Sequence, residues 1–369
     1  MIYQLSAQRP PTKKVHKALR FFVRNALGKA KQFSEVLFPQ WFVPIAKAGG
    51  IDGGLWEKFE GVFSEMQALN ANQRQRFWQA FENHNQVQDL CNDASVKVVR
   101  LSSFPDALRT KFGELTDHLF KTMRYGKKCA ALLQMDQPCI PWHYKRFRSR
   151  YVVCPFCGLI TYPSSGEGCA DYDHYLDRAN YPLSAANGEN LVPMCERCNR
   201  PVKGQTNVIV ANGKRRVAYY PYEGCSGVVV ACVCLEPDKI GQRSKWSVTV
   251  TARNRKREAS KVRTWAVVFQ IEKRYSALLD ADGSSWVKDE AVALAGQTFE
   301  PTPERFSIHL GKRANKLQAR IAVEAQAILK GPLFEHVSRL PRPALQGIMA
   351  VATNAYGRNM RQRGQNTFR

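Results

Sequence analysis

The chain has 369 residues, 44% of them hydrophobic, with 55 Lys and Arg against 31 Asp and Glu, a formal charge of +24. That length fits two or three domains with packed cores, and the charge points to a polyanionic partner, nucleic acid ahead of a membrane surface. No window approaches the ~20 apolar residues of a membrane span, so membrane insertion is excluded from the expectation.

The start, MIYQLSAQRPPTKK, lacks the order of charge, apolar run and small residues that makes a signal peptide, and the expected location is cytoplasmic. Residues 1–12 read as a flexible lead ending in Pro10-Pro11. From Lys13 to Phe38, Val15, Leu19, Phe22, Val23, Leu27 and Phe33 recur at helical spacing between basic residues, which predicts an amphipathic helix. Pro39, Pro44, Gly49-Gly50 and Gly53-Gly54 mark turns. Helical patterns follow over Leu55–Leu69 and Asn72–Cys91, and Ser103-Phe104-Pro105-Asp106 opens another that runs through Met123. Residues 1–138 therefore read as a helical domain whose aromatics serve packing.

Between Ile140 and Arg150, Lys145, Arg146, Arg148 and Arg150 alternate with Trp142, Tyr144 and Phe147. That pattern suits phosphate contact, and it equally suits a strand with one packed face. Beyond Gly204 the runs Val208–Val210, Val217–Tyr220, Val228–Val233, Trp246–Val250 and Thr264–Ile271 look strand-like, with a basic cluster from Arg253 to Arg263. Residues 211–300 are expected to be β-rich. Residues 301–369 are expected to be helical, with an amphipathic run over Phe306–Leu329 and a disordered basic tail from Arg358 to Arg369.

The chemistry concentrates in residues 139–210. Cys154 and Cys157 form one Cys-x-x-Cys pair, and Cys195 and Cys198 form a second. Two such knuckles make a closed tetrahedral set for a structural Zn²⁺ with no open position for catalysis. Cys169 reads as a core residue; Cys225, Cys232 and Cys234 could hold a second metal with a fourth ligand, but read first as small core residues in a β-run. Asp173-His174 is expected at a strand end, and Asn190 before a segment that begins the helix carrying Asn199. A His beside a carboxylate can act as general base, the carboxylate can bind a hard cation, and an Asn oxygen can complete that cation's shell.

The succession Cys-x-x-Cys, Asp-His, Asn-Leu-x-x-x-Cys-x-x-Cys-Asn and Lys-Gly resembles the HNH endonucleases of the ββα-metal fold. The stretch DHYLDRANYPLSAANGENLVPMCERCNRPVKG is similar to HNH nucleases of bacterial anti-phage defence systems, the Zorya effector nucleases among them. The resemblance implies an α+β architecture, with a zinc-braced ββα-metal core between a helical N-terminal domain and a β-rich, then helical, C-terminal region. It implies that His174 deprotonates the attacking water, while Asp173 and Asn199 hold Mg²⁺ or Mn²⁺. It further implies that Asn190 braces the loop and that Lys203 binds a phosphate or stabilises the transition-state charge. Arg178 and Arg197 would touch the backbone of double-stranded DNA, read without strict sequence preference, and defence-system proteins would be partners. A non-catalytic zinc module that binds nucleic acid, an RNA nuclease and a scaffold subunit are the alternatives.

Overall fold

Residues that share a helical face set the architecture of the first part of the chain. The computed structural model describes residues 2–3, 5, 12–28, 30–48, 54–164, 166–223, 227–240, 244–296 and 301–352. Most of the expected lead 1–12, Gly49-Gly50, Gly53, Cys225 and the tail Arg358–Arg369 lie outside them. The chain divides into two compact units, one made of Gln4–Tyr151 and Tyr162–Cys225, the other of Met1–Tyr3, Val152–Thr161 and Ser226–Arg369. The helical N-terminal segment and most of the central segment, expected as separate domains, thus share the first unit. Periodicity shows which face of an element is apolar, not which neighbour covers it.

In the first unit, α1 (Thr12–Ala26) buries Val15, Leu19, Phe22, Val23 and Ala26. It ends well before Phe38, and the predicted continuation becomes a 3-10 turn at Glu35–Leu37. Then come α2 (Val43–Lys47), α3 (Leu55–Gln67), α4 (Ala71–Asn85) and α5 (Val87–Asn92). Asn70 and Gln73 start α4 as a reciprocal capping box, with bonds of 2.9 and 3.0 Å. The long helix α6 (Asp106–Tyr125) is followed by α7 (Lys127–Leu132) and α8 (Cys139–Arg148).

The aromatics do pack: Phe22 meets Phe59 edge-on at 4.7 Å and Phe77 meets Phe112 at 5.7 Å. Residues 140–150 are not a strand. Ile140, His143, Tyr144 and Phe147 are buried at i, i+3, i+4 and i+7, the spacing of one helix face, and Lys145 and Arg146 stay exposed.

A short antiparallel hairpin follows, β1 (Asp171–His174) with β2 (Leu191–Met194), Asp173 opposite Val192 and His174 opposite Leu191. Asn190 therefore precedes a strand, not a helix. A wide helical turn at Cys198–Lys203 comes only after β2. Pro201 lies inside that turn, where its missing N–H disfavours regular α geometry. Gly204 ends it at φ +48°, a region that favours glycine, and an added Cβ would sit 3.1 Å from the Arg200 carbonyl. A two-residue pair, β3 (Val210–Ala211) with β4 (Lys214–Arg215), completes the unit's strands among the described residues. Val217–Tyr220 forms no strand.

In the second unit, β5 (Val228–Cys234) and β6 (Trp246–Ala252) pair antiparallel over seven residues each. Cys232 and Cys234 lie on the buried face of β5, as core residues. The outward backbone N–H groups of Trp246, Val248 and Val250 donate to Asp280, Ser276 and Glu272, so side chains complete this strand's hydrogen bonding. Helices α9 (Arg255–Val268), α10 (Ile271–Leu278), α11 (Ser284–Ala295), α12 (Pro303–Gln318) and α13 (Ala327–Ser338) follow.

The region expected to be β-rich is thus largely helical after Ala252. Its β-branched run Thr264–Ile271 misleads: Val262, Trp265 and Val268 are buried at helical spacing, whereas Val267 is 63% exposed. The basic cluster lies mainly on α9. The run Phe306–Leu329 is interrupted between α12 and α13, where Gln326 adopts φ +65°. The chain is mixed α and β with small sheets. No helix among the described residues is long and apolar enough to cross a membrane.

Candidate functional site

Strand alternation separates the side chains of β1. Tyr172 bonds His143 on α8, hydroxyl to Nδ1 at 2.5 Å, while Asp171 and Asp173 project to the other face. Sixteen residues join β1 to β2, and Asn190, fully buried, closes this loop. Its Oδ1 accepts from the Leu176 amide at 2.7 Å, and its Nδ2 donates to the Leu176 carbonyl at 2.9 Å and the Ser184 hydroxyl at 3.2 Å. The end of α4 holds the same loop, Asn85 Nδ2 donating to the Leu183 carbonyl at 3.1 Å.

The result is a cleft of about 400 Å³. β1 and the loop contribute Asp171, Asp173, His174, Asp177 and Arg178; the turn after β2 contributes Asn199, Arg200 and Lys203; α6 contributes Phe120 and Arg124. Sequence reasoning singled out Asp173, His174, Asn199, Lys203 and Arg178, and all five line this cleft. Lys145, Arg146, Arg148, Arg150 and Arg197 are not among its lining residues. Arg146 instead stacks its guanidinium 3.4 Å from the centre of the Trp142 ring.

His174 Nε2 lies 3.1 Å from the Ala185 carbonyl oxygen. A carbonyl can only accept, so Nε2 carries the proton and Nδ1 keeps its lone pair. Burial, then the nearby Arg178 charge, pushes the imidazole down to about 4, so the ring is neutral near pH 7. Phe120 packs against it at 4.8 Å between ring centres.

Burial pushes the Asp173 carboxyl up to about 6 against the opposing pull of Lys203. Lys203 Nζ lies 2.9 Å from Oδ2 and 3.1 Å from Oδ1 of Asp173, and 3.0 Å from the His174 carbonyl oxygen. The Lys203 side chain is wholly buried and its ammonium is paired with Asp173. This differs from the phosphate contact expected for Lys203. The resemblance implied that contact; in the structure the buried carboxylate takes the ammonium as its counter-charge.

The other basic residues of the cleft also have acidic partners. Arg200 and Arg124 lie 3.2 and 3.9 Å from Asp171, and Arg178 pairs with Asp117, which also takes Lys121 at 2.9 Å. No family model, curated protein or solved structure matches the chain.

The four cysteines read as metal ligands do converge. The Sγ atoms of Cys154, Cys157, Cys195 and Cys198 lie within 4.8 Å of one another and all four residues are buried. Thiolates bound to zinc at about 2.3 Å sit roughly 3.8 Å apart, so this arrangement fits a structural metal such as zinc. The Leu159 amide donates to Cys157 Sγ at 3.5 Å. Gly158 turns the first knuckle at φ +65°, where an added Cβ would lie 2.6 Å from Ile328 Cγ2. Cys169 is only partly buried and joins no such group among the described residues.

Phe120, Arg124, Asp171 and Arg200 line the cleft without having been singled out from the sequence. Asp171 and Arg200 were within reach of sequence reasoning, one lying two positions before Asp173 on the same strand face and the other directly after Asn199. Arg124, some fifty residues upstream, carries no local signal.

Proposed function

We propose that the chain is a metal-dependent HNH endonuclease that hydrolyses DNA phosphodiester bonds. The observation that carries this reading is His174, neutral and with its free Nδ1 lone pair fixed by the Nε2 bond to Ala185, beside a buried carboxylate in a cleft. Two antiparallel strands followed by a helical turn, in the order the resemblance implies, support it as well.

The donor set fits a hard divalent cation. Asp173 offers a buried carboxylate whose Oδ2, though near Lys203, receives no aligned hydrogen bond, and Asn199 offers an amide oxygen. These two residues would hold Mg²⁺ or Mn²⁺, which would supply charge stabilisation where negative charge develops on the phosphate. His174 Nδ1 takes a proton from water, whose oxygen bonds to phosphorus as the P–O3′ bond breaks. Asn190 keeps the loop closed, and the Ala185 bond holds the imidazole in the basic tautomer. Lys203 holds Asp173 charged in a buried setting. A single site nicks one strand per encounter.

Supercoiled plasmid incubated with Mg²⁺ or Mn²⁺ tests the reading. The wild-type chain converts it to the nicked form, and His174→Ala abolishes cleavage while DNA binding in EDTA survives. Equal cleavage by that variant would sink the assignment, and an RNA panel decides between nucleic acids. The defence role rests on the resemblance of residues 173–204 alone. Phage plating on cells carrying the wild-type or His174→Ala chain tests it.

A further inference from the structure

The charges of the cleft do not close among themselves. Lys203 neutralises Asp173, Arg124 and Arg200 share Asp171, and Arg178 goes to Asp117. Among the described residues Asp177 has no basic partner, although it is only 4% exposed and lines the same cleft. Its Oδ1 accepts from the Asn180 amide and the Asn180 Nδ2, both at 2.9 Å, which closes an Asx turn. Its Oδ2 is buried and has no hydrogen-bond donor among the described residues.

The turn needs one acceptor oxygen, which a neutral Asn would also supply. A second, charged oxygen shut away from water is costly unless something positive meets it. Asp173 Oδ2, the other cleft carboxylate oxygen without an aligned donor, is also buried.

We infer that Asp177 is a further ligand of the divalent cation, held together with Asp173 and Asn199. The inference rests on the nuclease reading and adds to it a second carboxylate, which selects a hard, doubly charged ion over a monovalent one.

Mn²⁺ titrated into the full chain without nucleic acid, read by calorimetry, tests it apart from activity. Asp177→Asn keeps the Asx acceptor and removes the charge, and it is expected to weaken Mn²⁺ binding by about tenfold or more. The metal-free Tm of that variant is expected to equal or exceed that of the wild type, because the uncompensated charge is gone. Asp177→Ser is the second variant should Asp177→Asn fold poorly, and Asn180→Ala, which trims the turn and keeps the charge, is expected to bind Mn²⁺ normally. Binding that Asp173→Asn abolishes and a folded Asp177→Asn or Asp177→Ser retains overturns the inference and leaves the nuclease reading standing. Absence of Mn²⁺ binding by the wild-type chain overturns both.

Discussion

The Lys203 ammonium and the Asp173 carboxylate are buried against each other, with Nζ 2.9 Å from Oδ2 and 3.1 Å from Oδ1. Removing one member of such a pair strands the other charge away from water. Lys203→Met is therefore expected to lower unfolding stability by roughly 3–5 kcal/mol in urea denaturation. The double variant Lys203→Met with Asp173→Asn should recover part of that loss. A double-mutant cycle without coupling would show that the pair contributes nothing to the fold.

Asn190 leaves orphans when truncated. Asn190→Ala strips the Leu176 amide and carbonyl of their partners, at about 1–3 kcal/mol for each group left unsatisfied. Because these bonds close the loop beside His174, kcat for plasmid nicking is expected to fall while DNA affinity in EDTA holds. A loss of affinity with unchanged kcat would assign Asn190 to DNA contact.

Acid should destabilise the chain in a defined window. Burial holds His16, His84, His143 and His174 at about 4, below the usual 6.5, so each is neutral when folded. The unfolded chain takes up protons first as the pH falls. Stability contributed by these groups is complete above pH 6.5 and is lost as pH drops towards 4, with a shift of this size worth on the order of 3 kcal/mol per group. Asp173 works the other way, since its raised value near 6 favours the folded state once it is protonated. The net expectation is a falling Tm between pH 6.5 and 4 by scanning calorimetry. A flat profile there would show that the histidines are not buried neutral.

The cysteine cluster should hold one zinc per chain, measurable by elemental analysis after gel filtration. Cys157→Ser or Cys195→Ser is expected to lose the metal and lower Tm, and a strong chelator should lower the wild-type Tm towards that of the variants. Full-strength zinc binding in either variant would exclude that sulfur as a ligand.

Knuckle spacing and the order of Asp173, His174, Asn190 and Asn199 were legible in the sequence, because each lies within a short segment whose local geometry follows from residue type. The helix at 140–150 was not read from the sequence, whose alternating basic and aromatic residues suggested phosphate contact or a strand, although Ile140, His143, Tyr144 and Phe147 stand at the spacing of one helix face. The run Thr264–Ile271 was misread because β-branched residues favour strands only until a neighbouring helix or sheet offers one face to pack against.

Tertiary structure alone decided the charges of the cleft. Arg124 reaches it from α6 and Asp117 draws off Arg178. Lys203 is spent on Asp173, which leaves Asp177 as the cleft carboxylate without a counter-charge among the described residues. Ion pairing depends on distances of a few ångströms between residues far apart in the chain. Composition and periodicity therefore set the positive balance of the whole protein, and folding set which of its cations remain available.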